Sequence, residues 1–176
     1  MSDTRRILAL DPATQTGWAW GDGMTGTEFG VWNLGPIAEL RFALLRQGIE
    51  GIARHRGIDL LAYEDAGFAA KGQQRTAAFH SELRGAIKAV AAELNVPTLA
   101  VNPMTLKKFA TGYGHAKKVQ MIAACKTILG IDTRDDNEAD ALWILTYARA
   151  YKPEWAPQKK RKRRSAKKEP QTRMTF

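Results

Sequence analysis

The sequence predicts an α/β domain in which helices pack on a central mixed sheet. Short apolar runs of strand length end in acidic or turn-forming residues, longer stretches show helical spacing or composition, and strands alternate with helices after the third strand. A chain of 176 residues with 44% hydrophobic content can bury one good core. We therefore expect a single compact domain.

Three predicted strands open the domain. The first is the apolar run at residues 6–10, which ends at Asp11. The second covers residues 18–20 and reaches a Gly-Asp-Gly turn, and the third covers residues 28–32. A helix is expected next, because apolar residues recur at roughly helical spacing until Gly57 ends the pattern: Ile37, Leu40, Leu44, Ile49 and Ile52.

The second half of the domain alternates strands and helices. Residues 60–63 form a predicted strand that ends at Glu64, and residues 73–94 are rich in Ala, Leu, Glu and Lys, which indicates a helix. A strand is expected at residues 99–101. Two closing helices, residues 117–129 and 137–150, are separated by a turn.

Charge divides the chain into a nearly neutral domain, residues 1–152, and a basic tail, residues 153–176. From Lys152 onward ten Lys and Arg stand against Glu154 and Glu169, which leaves the preceding residues near +1 of the total of +9. The tail cannot bury enough apolar surface to offset its ordering entropy, so we expect it to be disordered until bound. Such a tail indicates a polyanionic partner such as DNA or RNA.

Composition excludes a membrane protein and a secreted disulfide protein. The longest apolar runs have four to six residues, far short of the roughly 20 that span a bilayer. No apolar stretch near the start is long enough for a signal peptide, and Cys125 has no second cysteine to pair with. We expect a cytoplasmic protein.

Three carboxylates are predicted to meet at one edge of the sheet. Asp11 and Glu64 each end a strand, and Asp140 lies early in the last helix. If the two strands are neighbours, their ends share an edge, and a helix packed across that edge can bring Asp140 to the same point. Three carboxylates cannot crowd together without a cation. Two Mg²⁺ ions about 3.5–4 Å apart would relieve the repulsion and support phosphodiester hydrolysis.

The chain resembles the RuvC family of Holliday-junction resolvases in four segments that follow the family's order. The family's opening strand is similar to ILALDPATQTGWAW, and its second acidic strand is similar to LAYED. Its Pro, Lys-Lys, Thr-Gly-x-Gly, Ala, Lys segment is similar to NPMTLKKFATGYGHAKKVQM, and its final acidic helix is similar to DDNEADALWI. Together these segments extend over roughly residues 6–150.

This resemblance implies an RNase H-like fold and a crossover junction endodeoxyribonuclease. Such an enzyme acts as a homodimer, hydrolyses phosphodiester bonds in branched DNA, and uses two Mg²⁺ ions per site, with Mn²⁺ as a substitute. The metal-binding and catalytic roles fall on Asp11, Glu64 and Asp140. The short chain and its added tail are typical of a divergent, phage-encoded member, which we expect to cut forks and flaps as well.

The fourth metal ligand is open. The family usually places an Asp or His three residues before the last acid, where this chain has the uncharged Asn137. Asp136, four residues before Asp140, faces the same side of a helix and is our preferred candidate, with Asn137 as the alternative. Glu138 points some 160° away from Asp140 on a regular helix, which predicts a solvated side chain.

A basic loop is the predicted DNA contact. Lys107, Lys108, Lys117 and Lys118 bracket residues 111–115, which include Tyr113 and two glycines. Glycines let backbone N–H groups approach a phosphate while lysines neutralise it, so this loop is expected to position DNA without reading its sequence. Ordinary solvation of the loop is the alternative.

An aromatic side chain is expected to stack in the opened junction. The resemblance assigns this role to Phe68, about one residue beyond the family's position, although core packing would equally explain an aromatic residue there. The three histidines, His55, His80 and His115, have no metal-ligand spacing and are predicted to be structural or surface residues.

The last six residues resemble the short peptide by which replication proteins bind a sliding clamp. Gln171 is followed by Met174 at plus three and Phe176 at plus five. A disordered linker that presents such a peptide would raise the local concentration of the enzyme at replicating DNA.

Two other functions fit parts of the sequence. A nuclease fold kept for binding branched DNA, with weak or no catalysis, would suit the uncharged Asn137. An actin-type or sugar-kinase-type nucleotide-binding domain would suit Asp11, Thr14, Thr16 and Gly17, but those proteins enclose their nucleotide between two such domains and 176 residues supply one. Metal-dependent cleavage of a synthetic junction separates these interpretations.

Overall fold

The structure is a computed structural model that describes residues 4–65 and 74–151. Its strands and helices in chain order are β1 Ile7–Asp11, β2 Gln15–Gly21, β3 Thr27–Asn33, α1 Ala38–Arg56, β4 Leu60–Glu64, α2 Gln74–Glu93, β5 Thr98–Val101, α3 Pro103–Thr111, α4 Lys118–Ala124, a π-helix Cys125–Leu129, and α5 Asp136–Ala150. None of the helices in these two ranges combines the length and the apolar character that a membrane crossing requires.

The five strands form one mixed sheet in the order β3-β2-β1-β4-β5. The pairs β1–β2 and β2–β3 are antiparallel, whereas β1–β4 and β4–β5 are parallel. This arrangement confirms the predicted α/β fold with an RNase H-like mixed sheet and flanking helices.

Each face of the sheet carries its own core. On β1, Ile7 and Ala9 pack with α3, α4 and α5, while Leu8 and Leu10 pack with α1 and α2. On β4, Leu60 and Ala62 lie on the α5 side, and Leu61 and Tyr63 lie on the α1 and α2 side. Because successive side chains of a strand point to opposite faces, the next residue on the α5 side is Asp11 in β1 and Glu64 in β4.

Small residues on β2 let α5 lie unusually close to the sheet. A Cβ added to Gly17 would stand 1.9 Å from the backbone oxygen of Asn137, and one added to Gly21 would stand 2.2 Å from a guanidinium nitrogen of Arg149. Ala19, between these glycines on the same face, is fully buried. The Gly-x-Ala-x-Gly alternation of β2 therefore fixes the height of α5 above the sheet.

Two helical features differ from the prediction. α3 was not predicted, although its signals are present: Asn102 accepts hydrogen bonds from the backbone N–H groups of Met104 and Thr105, and Gly112 ends the helix in the left-handed conformation. The helix predicted over residues 117–129 is confirmed in extent, as α4 followed directly by the π-helix that ends at Gly130; only the wider π-helical winding of its second half was not predicted.

Candidate active site

Asp11 and Glu64 lie side by side at the carboxyl ends of two neighbouring strands. The register of the β1–β4 pair runs from Ile7 opposite Leu60 to Leu10 opposite Tyr63, so one further step places Asp11 opposite Glu64. Both side chains are half-buried. The sequence-based expectation that the two acid-bearing strands are neighbours is confirmed.

Helix α5 brings Asp140 to the same edge. Asp11 is paired with Gly17 in β2, and the first turn of α5 rests on that glycine through Asn137. Asp135 caps the helix by accepting hydrogen bonds from the backbone N–H groups of Asn137 and Glu138. The cap and the close approach together set where the first turns of α5 lie, and hence where Asp140 lies.

The carboxylates interact electrostatically. Removal from water raises the pKa of Asp11 well above its usual value, and the charges of Glu64, Asp140 and Asp136 raise it further. Burial also raises the pKa of Glu64 to about 7, with Asp140 contributing, and raises the pKa of Asp140 to about 6. These electrostatic effects agree with the strand register and with the position of the first turns of α5.

Two lysines oppose these acids. Lys107 lowers the pKa of Glu64 and of Asp140, while Lys118 lowers that of Asp11 and of Asp140. Lys118 also forms an ion pair with Asp136, which raises the pKa of the lysine. Two members of the predicted phosphate-binding set, Lys107 and Lys118, therefore act on the carboxylates of this edge.

The neighbours of Asp136 in the sequence face other groups. Asn137 donates a side-chain hydrogen bond to Asp135 at 3.1 Å. The expectation that Glu138 is solvated was wrong, because its half-buried carboxylate accepts a hydrogen bond of 2.5 Å from the buried hydroxyl of Thr133. Thr133 precedes the helix, and helical geometry alone does not reveal such a contact.

The donor set suits a hard divalent cation. Carboxylate oxygens are the ligands that Mg²⁺ takes from proteins, and partly buried acids with raised pKa values gain most from a nearby cation. In the side-chain orientations seen over residues 4–65 and 74–151, however, no three His, Cys, Asp or Glu side chains are arranged to hold one ion. The chemistry of the carboxylates fits a divalent cation.

A cleft beside the two strand ends is lined by residues that the sequence did not single out. Its volume is about 150 Å³, and its walls are Asp11, Pro12, Glu64, His80 and Arg84. His80 was predicted to be structural or on the surface, and Arg84 had no predicted role. Both belong to α2, which packs on the opposite face of the sheet and reaches over its edge. In the sequence, only the i,i+4 spacing of His80 and Arg84 indicates that the two side chains lie on one helix face.

The predicted DNA-binding residues differ in exposure. Lys108, Lys117 and Lys118 are exposed, Lys107 is half-buried, and Tyr113 is 59% exposed. Tyr113 lies edge-on to His115 with ring centroids 5.7 Å apart. Phe68, the basic tail and the peptide with Gln171, Met174 and Phe176 lie outside the described residues.

The raised pKa of Glu64 predicts a pH-dependent stability change. The folded protein holds a proton on Glu64 up to about pH 7, whereas the unfolded chain releases it near 4.5, so stability falls as pH rises through this window. Without divalent cations, Glu64→Gln is expected to raise the free energy of unfolding by about 1–3 kcal/mol at pH 8 and to change it little near pH 4. Denaturant titrations in chelator measure both values, and an equal gain at the two pH values would contradict the assignment.

The chain is similar to several known proteins, although no family model matches it. It is 32% identical over 112 residues to the crossover junction endodeoxyribonuclease RuvC of Carboxydothermus hydrogenoformans, covering 62% of this chain and 70% of that protein. It is 31% identical over 149 residues to the RuvC of Pelotomaculum thermopropionicum, covering 78% and 88%. Among solved structures, Thermus thermophilus RuvC in complex with a Holliday junction substrate matches with a TM-score of 0.68 and 26% identity, covering 83% and 96%.

Proposed function

Because the chain belongs to the RuvC family of crossover junction endodeoxyribonucleases, we propose that it cuts branched DNA by metal-dependent hydrolysis at the edge where β1 and β4 end. The observation that supports this location is geometric: Asp11 and Glu64 end two paired parallel strands, and the first turn of α5, which leads to Asp140, rests on the glycine that pairs with Asp11. These residues come from three distant stretches of the chain and meet at one sheet edge.

The three carboxylates would hold two Mg²⁺ ions, for which Mn²⁺ can substitute. Cations at such a centre activate water and stabilise the leaving oxygen of a phosphodiester. The protein residues supply the oxygen ligands and keep them at the sheet edge through β1, β4 and the first turns of α5. The positive charges of Lys107 and Lys118 beside the acids would help to hold a phosphate there.

The proposed substrate is a four-way DNA junction, with forks and flaps as further substrates. The fold shared with the junction-bound Thermus thermophilus protein supports this choice. Lys107, Lys108, Lys117, Lys118 and Tyr113 would contact the DNA backbone, and Phe68, outside the described residues, would stack on an unpaired base.

Cleavage of a labelled synthetic four-way junction tests the proposal. We expect nicks that require Mg²⁺ or Mn²⁺, and little cleavage of a linear duplex of the same sequence. Junction binding without any cleavage would favour the scaffold function instead. Binding of ATP with no affinity for the junction would favour the nucleotide-binding alternative, which Thr16 argues against because its hydroxyl is buried and donates to the backbone oxygen of Ala13 at 2.6 Å.

The fourth ligand can be assigned by comparing two variants. Asp136 contributes to the raised pKa of Asp11 and of Asp140, whereas Asn137 makes its side-chain contact with Asp135. Asp136→Asn is therefore expected to raise the Mg²⁺ concentration for half-maximal cleavage about 10- to 100-fold, as loss of a supporting ligand does. Asn137→Ala should leave that concentration near the unmodified value, and the reverse order would assign the role to Asn137.

The exposed lysines are expected to bind DNA without sequence preference. Replacing Lys108 and Lys117 by Ala should weaken binding to junctions of different sequence equally, because lysine contacts to phosphate depend on charge alone. A plot of the logarithm of the binding constant against the logarithm of the salt concentration should become less steep by about one unit for each phosphate that is no longer neutralised. Lys126→Ala is the control, since Lys126 is an exposed lysine of the π-helix whose charge is paired with Asp132. Equal salt slopes for all variants would contradict this assignment.

A homodimer is the proposed assembly. A two-fold enzyme would place two equivalent sheet edges on opposite arms of a four-way junction, which accounts for paired nicks. Sedimentation equilibrium of the full chain measures its mass directly, and a monomer at concentrations that support paired nicking would contradict the dimer.

The end of the basic tail is proposed to bind a sliding clamp. The peptide with Gln171, Met174 and Phe176 would tether the enzyme to replicating DNA through the basic segment that precedes it. Truncation of residues 171–176 should then abolish clamp binding and leave junction cleavage unchanged. Clamp binding that survives the truncation would remove this partner.

A further inference from the structure

Helix α2 contacts both of the strand ends that carry the proposed metal ligands. His80 and Arg84 are four residues apart and therefore lie on the same face of the helix. His80 contacts Pro12, the residue directly after Asp11, and Arg84 contacts Asp65, the residue directly after Glu64. One helix face thus links the two acid-bearing strands.

The contact at Pro12 is a hydrogen bond from the imidazole. Nδ1 of His80 lies 3.0 Å from the backbone oxygen of Pro12. A carbonyl oxygen only accepts, so Nδ1 must carry the hydrogen in this contact. Pro12 is buried, and its ring fixes φ, so the backbone between Asp11 and Pro12 has little freedom once its carbonyl is held.

The contact at Asp65 is an ion pair. Nη1 of Arg84 lies 2.6 Å from Oδ1 of Asp65, and Nη2 donates to the hydroxyl of Ser81 at 2.9 Å. The side chain of Arg84 is only 12% exposed and that of Asp65 is 35% exposed, so this pair is partly shielded from water. The backbone N–H of Asp65 also donates to Val101 at 2.8 Å, so the residue after Glu64 is held from two sides.

Both contacts originate from a firmly packed helix. The same side of α2 is buried against the sheet and α1 through Leu83, Ile87, Val90 and Ala91, with Leu83 and Ile87 one turn beyond His80 and Arg84. A strand end held by such a helix moves only if the helix moves. The cleft formed by Asp11, Pro12, Glu64, His80 and Arg84 is the space between this helix and the two acids.

We propose that His80 and Arg84 are positioning residues, which set the separation of the Asp11 and Glu64 carboxylates by fixing Pro12 and Asp65 to one helix. This inference rests on the proposed metal centre. Groups that orient metal ligands change cation affinity about 10- to 100-fold when removed. A role in positioning therefore predicts weaker cation binding, whereas a role in contacting DNA predicts weaker junction binding.

The test compares His80→Ala, His80→Asn and Arg84→Gln in the full chain. Asn can place its amide nitrogen where Nδ1 stands, so His80→Asn keeps the donor to Pro12, and Glu82→Ala is the control at an exposed neighbouring position of α2. Mn²⁺ binding without DNA is measured by electron paramagnetic resonance, together with the Mg²⁺ dependence of cleavage, junction affinity in chelator and the melting temperature.

Mn²⁺ binding and the half-maximal Mg²⁺ concentration are expected to shift about 10- to 100-fold in His80→Ala and Arg84→Gln, and to return to nearly the unmodified value in His80→Asn. Junction affinity in chelator should stay unchanged. A lowered melting temperature with unchanged Mn²⁺ binding would overturn the proposal, as would weaker junction binding with unchanged Mn²⁺ binding. Asp11→Asn tests the metal centre separately from the positioning role, because Mn²⁺ binding that survives this change would refute the metal centre itself.

Discussion

Asp11→Asn is expected to abolish junction cleavage while junction binding remains. Asp11 ends β1 beside Glu64; burial raises its pKa, and the charges of Glu64, Asp140 and Asp136 raise it further. An amide keeps the size of the side chain but removes the charge that a divalent cation requires. Loss of about 4 kcal/mol or more of transition-state stabilisation lowers the rate on the order of 10³-fold.

Cleavage is measured under single-turnover conditions in Mg²⁺, and binding is measured in chelator. Asp132→Asn is the matched control, since its carboxylate is 67% exposed and is paired with Lys126 rather than with the acidic group. The control should cleave like the unmodified protein. Undiminished cleavage by Asp11→Asn would show that hydrolysis occurs elsewhere on the molecule.

Gly17→Ala is expected to impair both folding stability and cleavage, although the residue has no reactive group. Its Cβ would stand 1.9 Å from the backbone oxygen of Asn137, and backbone cannot turn aside as a side chain can. The first turn of α5 must therefore move away from β2, and Asp136 and Asp140 move with it. Overpacking of this kind costs about 1–3 kcal/mol, and a shift of about 1 Å at a reacting centre can lower the rate about 10²-fold.

Gly51→Ala is the control for this change. Gly51 lies inside α1, and a Cβ there meets no atom within 4 Å. Alanine should therefore raise the free energy of unfolding by up to about 1 kcal/mol, as it does in helix interiors, and leave cleavage unchanged. Thermal or denaturant unfolding and the junction assay measure both variants. Normal stability and normal cleavage of Gly17→Ala would show that α5 does not depend on this close approach.

Local patterns were sufficient to predict the strands and most helices. An apolar run that ends in an acid predicted β1 and β4, and the termination at Gly57 follows from a glycine with positive φ. The failure at α3 was of another kind. Asn102, Pro103 and Gly112 are ordinary start and stop signals, but the helix between them has only nine residues, which leaves little length for an apolar periodicity to show.

The sequence by itself determined which residues could form a metal site and which strands would carry two of them. The apolar runs that end in Asp11 and Glu64 were enough to place both acids at strand ends, because strand patterns are local. Asp140 could likewise be identified as a candidate metal ligand from its position early in the last helix. These properties belong to short stretches of chain.

Only the tertiary structure decided what surrounds those residues. Several contacts at this site join segments that are far apart in the sequence. They are the parallel pairing of β1 with β4, the contact of α5 with Gly17, the ion pair of Lys118 with Asp136, and the approach of α2 to the sheet edge. Such contacts depend on packing distances that no local pattern records. For this reason the proposed positioning role of His80 and Arg84 could not be predicted from the sequence alone.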